Sequence, residues 1–522
     1  MKTEKLNLKY LLRAHTVIGL VCVFLFYISS YFGAFTLFLP YIQIWETPSK
    51  HIKHTVNYEF NIDKKLEKII NEYKFNTKNI EITPPNFKDP RIQISSKNQN
   101  SVFLNPNTNE ILDTKNEQKT VSTFFNMIHF GGNIPIVGRV MMGIASICIL
   151  FLIISGIMIF FLNKKKKANE RKSFKRTWYK WHKYLGLFLA AFIFIFAITG
   201  AFLGFMLTNS APFALTASNF EKSSLRPLVS PIIFKQKELL KEDTNISKMQ
   251  DLSFLILKAK ENYKNLHIDK INIYNFNKSN SQIHFRGHLT NNKALTGPFN
   301  KVFITLNSNT AEVIEKKQLE QTHIINKVMS AFYFLHFLPD ETILLRTIFF
   351  ILSIFMIICL VFGYLIWAEK KLKHQNDLGY FNFLNRFCIA IMIGVIPASC
   401  FVIFLHWLLP FETYDREIWI QGCFYILWAF TLFYSMYENS ITKIFKLFFL
   451  ISIILIVCAV LLHGLKTELY FWISFQKELY SLFLVDIIFL FFALILLFLY
   501  FYIEKLEVFK RLHNEEFFYY EK

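Results

Sequence analysis

The long polar segments of this 522-residue sequence lack cysteine. All seven cysteines lie within apolar stretches, so a disulfide framework is excluded from the polar segments. A Cys-x-x-Cys-His motif is also absent, which excludes covalently attached c-type haem. Acidic residues are comparatively few, with 38 Asp and Glu against 58 Lys and Arg. The basic residues lie beside apolar stretches and not on an aromatic-studded soluble face, so we expect no nucleic-acid partner.

Apolar residues dominate the chain, since 53% of the residues are hydrophobic and 60 are phenylalanine. The core of a soluble domain of this length requires less. A membrane-spanning helix takes about 20 mostly apolar residues. The stretches that qualify are residues 14–40, 135–162, 183–208, 344–368, 387–409, 417–437, 443–463 and 478–503. The sequence therefore predicts an α-helical membrane protein with about eight transmembrane helices that contact membrane lipid. The first of these helices is expected to remain as a membrane anchor and not to be cleaved as a signal peptide.

Short basic segments predict the orientation of these spans. Residues 1–13, 163–183 and 369–386 are rich in Lys and Arg and flank spans, so we expect them in the cytoplasm. An even number of spans then leaves both termini on the cytoplasmic side of a bacterial inner membrane. Two long insertions, residues 41–130 and 208–339, face the periplasm, and each is predicted to be a small α+β lobe. The predicted strands include Val102–Leu104, Lys270–Tyr274, Gln282–Arg286 and Val302–Leu306.

An internal repeat organises the first 370 residues. The first span begins with Arg-Ala-His15-Thr-Val-Ile-Gly19, and the third begins with Lys-Trp-His182-Lys-Tyr-Leu-Gly186. A second glycine follows each histidine by 18 residues, and a His-Phe pair later enters the second and fourth spans, followed by Arg at +10 and Gly at +27. These further repeat positions are Gly33, Gly200, His129, His336, Arg139, Arg346, Gly156 and Gly363.

The repeat divides the chain into three predicted parts. Residues 1–162 form the first span–lobe–span copy, residues 163–370 form the second, and residues 371–522 form a four-span extension. The two lobes also share a turn, at residues 105–112 in the first copy and 307–314 in the second. Parallel copies of this kind are related by an axis along the membrane normal.

Histidines at the same position in both copies are functional candidates, because ionisable side chains at membrane depth are costly and usually face the bundle interior. The predicted topology puts His15 and His182 at cytoplasmic helix ends, and His129 and His336 at periplasmic ends. The pseudo-twofold axis would bring each pair together. Two imidazoles from opposite helices can ligate one haem iron axially, and two such sites stacked across the membrane make an electron path. Without a covalent attachment motif, these would be two b-type haems.

Helix geometry adds glycines to the predicted haem sites. Gly19 and Gly186 lie four residues after the histidines of their spans, on the same helix face, and leave room for a flat macrocycle. The gap of 18 residues to Gly33 and Gly200 corresponds to about five helical turns, or about 27 Å. We therefore expect Gly33 and Gly200 to accommodate the outer haem.

Other interpretations of the histidines stay open at this point. Membrane histidines commonly form interhelical hydrogen bonds, and histidine pairs also bind zinc, although structural zinc prefers four ligands and often thiolates. His406 and His463 could form a further site or be structural, and His284 with His288 could contact a metal or substrate. The histidines expected to be solvated are His51, His54, His267, His284, His288, His323, His374 and His513.

The pattern resembles the PepSY-associated transmembrane helix family over about residues 10 to 370. The resemblance rests on the basic His-x-x-x-Gly first span, on the strand and turn in the lobe, and on the entries Ile128-His129 and Leu335-His336 into the next spans. This family includes diheme ferrisiderophore reductases and iron-regulated membrane proteins. The resemblance implies a haem-dependent oxidoreductase that reduces a periplasmic ferric siderophore or other iron chelate. The haem ligands that it implies are His15, His129, His182 and His336.

The sequence departs from the family pattern in two places. Asn109 and Ala311 stand where glycine is expected in the lobe turns, and the spans after residue 370 lie outside the four-span core. The cytoplasmic loops contain no Gly-x-Gly-x-x-Gly or flavin-type motif, so the electron donor would be a separate cytoplasmic reductase or a quinol. Two alternatives stay open: a non-enzymatic PepSY-type periplasmic binding or regulatory module anchored by the spans, and a transporter component.

Overall fold

The computed structural model describes most of the chain as two compact units. The helical unit comprises Met1–Glu46, Asn116–Thr208 and Ile343–Lys522, and the sheet unit comprises Thr47–Lys115 and Asn209–Thr342. The predicted division by repeats stays a prediction, because these units group residues by contact. The described residues are 2–53, 60–96, 99–114, 117, 119–135, 137–162, 174–208, 245–320, 322–338, 342–372 and 378–505. Predicted features outside them are His54, His374, His513 and the basic runs at residues 163–173 and 506–522.

The described helices follow in chain order. They are α1 (Lys2–Thr36), α2 (Leu39–Trp45), α3 (Asp63–Glu72), α4 (Val121–His129), α5 (Val137–Leu162), α6 (Phe174–Phe188), α7 (Ala190–Thr208), α8 (Leu252–Asn262), α9 (Ile324–Phe337), α10 (Ile343–Leu372), α11 (Leu378–Met392), α12 (Val395–Leu408), α13 (Arg416–Tyr437), α14 (Ile441–Thr467), α15 (Phe471–Gln476) and α16 (Tyr480–Tyr502). Helices α3, α8 and α9 belong to the sheet unit, and the others belong to the helical unit.

Seven of the described helices are long and apolar enough to cross a membrane, and a bent pair raises the number to eight if it forms one span. The bent pair consists of Thr177–Phe188 and Ala190–Phe205, whose axes differ by 65°. The break falls at Leu189, within one turn of Gly186, and glycine is a common cause of helix kinks. The predicted α-helical membrane protein with about eight spans is confirmed. The sequence pattern did not anticipate the bend.

The helical unit is built around α1, which contacts α4, α5, α10 and α11, while α6 packs on α10. An aromatic core joins the C-terminal spans to the first ones. The Phe32 ring lies 5.1 Å from that of Phe125 and 6.1 Å from that of Phe424, measured between ring centres. All three side chains are buried. Helices in lipid associate through van der Waals packing of this kind, so the extension is an integral part of this unit.

The sheet unit contains one seven-stranded antiparallel sheet in the order β3-β2-β1-β4-β5-β6-β7. Its strands are β1 (Ile80–Thr83), β2 (Ile92–Ser96), β3 (Val102–Leu104), β4 (Leu266–Tyr274), β5 (Gln282–Leu289), β6 (Val302–Asn307) and β7 (Val313–Lys317). The predicted strands are confirmed. The first insertion supplies β1 to β3 and the second supplies β4 to β7, and the two sets join where Ile82 of β1 pairs with Ile271 of β4. The two predicted lobes therefore share one sheet.

The two faces of this sheet differ in polarity. On one face, alternate side chains such as Ile271, Phe285 and Ile304 are fully buried and form a core with Leu66 of α3 and Leu255 of α8. The intervening residues of β4 and β5 are half-buried and largely polar. This alternation is what one covered face of an antiparallel sheet produces. Polar side chains of β4 and β5 therefore gather on the other face.

The matching turns of the two insertions have the same backbone geometry. In the first, the amide of Asn109 donates to the carbonyl of Asn105 at 2.8 Å, and in the second the amide of Ala311 donates to that of Asn307 at 2.9 Å. Asn109 has φ 58° and Ala311 has φ 64°. These are the positions where glycine was expected, and the left-handed conformation is the physical reason for that expectation. Asn tolerates it better than Ala.

Candidate functional site

Two helices bring His15 and His182 together inside the helical unit. His15 lies on α1 and His182 lies on α6, 167 positions further along the chain. Their ring centres are 6.4 Å apart, and the ring planes make an angle of 74°. Both side chains are half-buried. The structure therefore unites the first of the two predicted pairs.

Each of these two rings is fixed through its Nδ1 atom by a neighbouring helix. Nδ1 of His182 bonds the carbonyl oxygen of Cys359 on α10 at 2.9 Å. Nδ1 of His15 bonds Oγ of Ser155 on α5 at 2.8 Å. The Ser155 hydroxyl lies 3.2 Å from the carbonyl of Leu152 and bonds it. Both rings are thus fixed directly or indirectly by a main-chain carbonyl.

A glycine lies four residues after each of these carbonyls, and the imidazole occupies the space of its missing side chain. A Cβ added at Gly363 would lie 3.0 Å from Cε1 of His182, and one added at Gly156 would lie 3.4 Å from Cε1 of His15. Larger side chains at these two positions would push the rings away. The glycines at +27 in the repeat therefore position the histidines, a role that the sequence pattern alone did not reveal.

The Nδ1 contacts determine which nitrogen remains available. A carbonyl oxygen only accepts hydrogen bonds, so Nδ1 of His182 carries the proton and Nε2 has a lone pair. Among the described residues, neither Nε2 of His182 nor Nε2 of His15 has a hydrogen-bond partner. Such an outer contact on the far nitrogen is the usual arrangement for a histidine that binds metal.

The separation of the rings fits one metal between two imidazoles. Imidazole nitrogens bind metals at about 2.0–2.1 Å, so two axial imidazoles on one iron have ring centres about 6.3 Å apart. No cluster of three or more metal ligands surrounds His15 and His182 in the described part of the chain. Two imidazoles are fewer ligands than the four that a structural zinc site prefers.

The glycines four residues after His15 and His182 have open surroundings. The atom nearest to a Cβ added at Gly19 is a Leu152 methyl at 3.7 Å, and for Gly186 it is Sγ of Cys359 at 3.8 Å. Both distances are ordinary van der Waals contacts, so neither glycine is required by protein packing alone. Gly200 lies half-buried in α7. The predicted role of these three glycines stays a prediction.

His129, the last residue of α4, contacts a carbonyl and a glycine of α1 in the same way. Its Nδ1 atom lies 2.8 Å from the carbonyl oxygen of Ser29, and the Ser29 hydroxyl donates to the carbonyl of His129 at 2.9 Å. Four residues further on, a Cβ added at Gly33 would lie 2.9 Å from the His129 ring. Gly33 thus makes room for the histidine itself. His336 lies on α9 of the sheet unit, beside Phe337 with ring centres 5.3 Å apart, and its pairing with His129 stays a prediction.

His463 of the C-terminal extension belongs to a fully buried polar network. Its Nδ1 atom contacts the carboxylate of Asp486 at 3.1 Å, and the indole N–H of Trp45 donates to the same carboxylate at 2.8 Å. The Trp45 ring centre lies 5.1 Å from that of His463. The network ties α2 to α14 and α16. Its contacts are those of a structural cross-link, which was one of the two open interpretations of His463.

His406 belongs to a neighbouring part of the same interior. Its Nε2–H donates to the main-chain carbonyl of Glu46 at 2.9 Å, and its own carbonyl accepts from Arg416. Arg416 also donates to Oγ1 of Thr120 at 3.1 Å, and the Glu46 carboxylate accepts from the amide of Val121 at 2.8 Å. These bonds join the extension to α2 and α4. They account for a buried arginine and a buried glutamate in a membrane protein.

Three residues of the sheet unit form a cluster that the sequence analysis missed. His267, Asp269 and His288 place one ligand atom each within 4.8 Å of the others. The sequence pattern predicts solvated side chains for both His267 and His288, and it offers His288 only together with His284 as a possible contact for a metal or substrate. In the structure His284 instead bonds Oγ1 of Thr305 at 2.9 Å. The pair becomes visible only with the register of β4 and β5, in which His267 lies opposite His288.

Comparison with known families supports the resemblance found in the sequence. The model of the PepSY-associated TM region matches residues 12–370, which is more than half of the chain and spans both copies of the repeat. No curated protein matches the sequence. The match covers the same residues as the resemblance found in the sequence and confirms it. The chain belongs to the family of the PepSY-associated TM region.

Proposed function

We propose that this protein is a transmembrane electron-transfer protein that binds two haem b groups and reduces ferric siderophores or other ferric chelates in the periplasm. The observation that carries the proposal is the pairing of His15 with His182 at a ring separation of 6.4 Å. The chain is a multi-pass membrane protein of the PepSY-associated family. Family membership alone does not specify an activity. The proposed cofactor therefore rests on the histidine geometry, and the proposed substrate rests on the resemblance.

The residues proposed for the inner site have defined tasks. Nε2 of His15 and Nε2 of His182 would hold the haem iron, while Ser155 and the carbonyl of Cys359 hold their Nδ1 atoms. Haem b would supply one-electron redox chemistry there. The outer contacts fix the orientations of the two rings and would raise the basicity of the imidazoles toward the iron.

The outer site is proposed for His129 and His336. Support comes from the repeat, which relates His129 to His336, and from the contact of His129 with Ser29 and Gly33, which repeats the carbonyl and glycine arrangement of the inner pair. By the positive-inside rule, His15 and His182 belong to the cytoplasmic half and the sheet unit belongs to the periplasm. Both termini are then cytoplasmic, in a bacterial inner membrane.

The proposed substrate follows from iron chemistry. Siderophores hold Fe(III) with hard oxygen ligands, and reduction to Fe(II) lowers the charge on the metal and weakens that hold. Single-electron transfer requires no acid or base residue, so no catalytic side chain is proposed. The electron donor is a separate cytoplasmic reductase or a quinol, since the sequence contains no nucleotide or flavin motif.

The test is reoxidation of the chemically reduced protein. Purified protein is reduced, freed of reductant and mixed anaerobically with ferric siderophores of several chelate classes. We expect the oxidised absorption spectrum to return while a colorimetric chelator captures Fe(II) in equal amount. Rapid reoxidation by a quinone or a protein acceptor, with none by any ferric chelate, would contradict the proposed substrate and leave the electron-transfer role.

A second candidate function is a binding or regulatory module without catalysis. The observation that favours it is that the strands of both insertions form one sheet unit with its own core. In this case the helices serve as an anchor and the protein purifies without haem. Export of the sheet unit is common to both candidates, and reporters fused after Asn107 and Asn309 test it.

A further inference from the structure

The polar face of the sheet carries a second histidine pair. His267 on β4 lies directly opposite His288 on β5. The rings are stacked, with centres 4.7 Å apart and planes inclined by 27°. Both side chains are partly exposed, at 35% and 21%. An incoming ion therefore has access to them.

A β-bulge adds Asp269 to this pair. In the register of β4 with β5, Ile268 pairs with Gly287 and Lys270 pairs with Arg286, so Asp269 is the extra residue. Bulges of this kind redirect a side chain at functional sites. The strands approach closely beside the bulge, because a Cβ added at Gly287 would lie 1.7 Å from the carbonyl oxygen of His267. Glycine at that position is therefore a requirement of the bulged geometry.

The three side chains already have the spacing of metal ligands. Oδ1 of Asp269 lies 2.9 Å from Nδ1 of His288 and 3.3 Å from Nδ1 of His267. With metal–ligand bonds of about 2.0–2.1 Å, adjacent ligand atoms lie about 2.9 Å apart in an octahedral site and about 3.3 Å apart in a tetrahedral site. We propose that His267, Asp269 and His288 bind a divalent first-row transition-metal ion through Nδ1, Oδ1 and Nδ1.

The donor set selects the class of ion. Imidazole suits Zn²⁺, Fe²⁺, Co²⁺ and Cu²⁺, whereas Mg²⁺ and Ca²⁺ prefer oxygen ligands throughout. Three protein ligands leave coordination positions open, as in exchangeable or catalytic sites and unlike closed structural ones. Fe²⁺, the product of the proposed reduction, belongs to this class. The proposed metal site does not depend on the reductase function.

A contact outside the cluster holds the carboxylate of Asp269 in place. Lys301 forms an ion pair with Oδ2, the oxygen that faces away from the shared contact. Asp269 is therefore oriented by an outer contact, as metal-binding carboxylates usually are. Ligation through Nδ1 requires the N–H of each imidazole to be on Nε2.

The test is metal binding by the full-length protein in detergent after treatment with a chelator. Zn²⁺ is titrated calorimetrically, and Fe²⁺ is used anaerobically as a second probe. We expect one Zn²⁺ site per chain in the wild-type protein. Asp269→Asn and His288→Ala should each lower the Zn²⁺ affinity of this site by at least about tenfold, because loss of even an outer contact to a metal ligand lowers affinity 10- to 100-fold. His284→Ala is the matched control, because it removes an imidazole of the same strand that bonds Thr305 instead.

Folding of the variants is measured separately. Thermal melting without metal shows whether Asp269→Asn, which loses its ion pair with Lys301, still folds. Zn²⁺ should raise the melting temperature of the wild-type protein and of His284→Ala but not of the two ligand variants, because an ion that binds only the folded state stabilises it. Equal Zn²⁺ affinity in all four proteins, or no binding by the wild type, would overturn the site. Haem content has no part in either readout, so the proposal can fail independently of the reductase function.

Discussion

Two histidine pairs in the described part of the chain differ in geometry. In the helical unit, His15 and His182 stand 6.4 Å apart with ring planes at 74°, and their Nδ1 atoms bond groups on other helices. In the sheet unit, His267 and His288 stack at 4.7 Å, and their Nδ1 atoms turn toward one shared carboxylate. The same side chain thus has two different arrangements in one protein.

The difference shows that the partner of Nδ1 determines what a histidine pair can bind. When both Nδ1 atoms are occupied by outer groups, as proposed for the haem ligands, the two Nε2 atoms are available to a metal between the rings. When both Nδ1 atoms converge on a carboxylate, the set suits a small ion with neighbouring ligands. Residue type alone therefore specifies neither site.

The largest expected effect is loss of haem. His15→Ala and His182→Ala should each abolish the same one of two haem components, because removal of either imidazole leaves the proposed site with only one of its two ligands. His129→Ala should abolish the other component. Reduced-minus-oxidised spectra of the purified variants measure this. His288→Ala should retain both components, and the pairing is wrong if His129→Ala and His182→Ala lose the same one.

The next effect concerns the space beside the inner pair. Gly363→Ala places a Cβ 3.0 Å from the His182 ring, and overpacking of this kind costs about 1–3 kcal/mol. We expect a lower melting temperature and a lower haem content for this variant. Gly422→Ala on α13 is the control, since no atom lies within 4 Å of its added Cβ. Equal behaviour of the two variants would contradict the positioning role of Gly363.

A smaller effect should follow removal of an outer contact. Ser155→Ala deletes the hydroxyl that holds Nδ1 of His15, and such outer contacts are worth about 10- to 100-fold in metal affinity. We expect weaker haem retention during detergent washing and a shifted midpoint potential of one component only. Ser146→Ala on the same helix serves as control, because Ser146 bonds only the carbonyl of Met142 in its own helix. If both serine variants match the wild type, Ser155 does not act on His15.

The smallest effect should be confined to the sheet unit. Ala311 has φ 64°, a conformation that costs an L-residue about 1–2 kcal/mol. Ala311→Gly should therefore stabilise the protein by about 0.5–1 kcal/mol after the entropy cost of glycine, with haem content unchanged. Thermal melting measures it. Asn109→Gly should gain less, and a loss of stability in Ala311→Gly would show that the strain is relieved elsewhere.

Sequence patterns predicted much of the fold because hydrophobic length and strand alternation are local signals. Eight spans, the strands and the turn at Asn109 could be found in this way. The bend at Leu189 and the joining of both insertions into one sheet could not, because each depends on packing between distant segments. The ligand candidates His15 and His182 followed from the repeat.

What the sequence did not provide was the atoms around those ligands. The bond from His182 to a main-chain carbonyl leaves no signature in residue type, although Gly363 was noticed as a repeat position. The cluster of His267, Asp269 and His288 depends on strand register and a bulge, which a single sequence does not specify. Long-range geometry therefore sets the limit of prediction for both sites.

The central claim is that the histidine pair of the helical unit binds haem, and the haem stoichiometry of the purified protein tests it most directly. Protein is produced in haem-replete cells, and its haem is quantified by the pyridine haemochrome method against protein concentration from amino-acid analysis. The account predicts two b-type haems per chain in the wild type and one in His182→Ala. Haem-free wild-type protein, folded by the criterion of cooperative thermal melting, would contradict the account and favour the binding module.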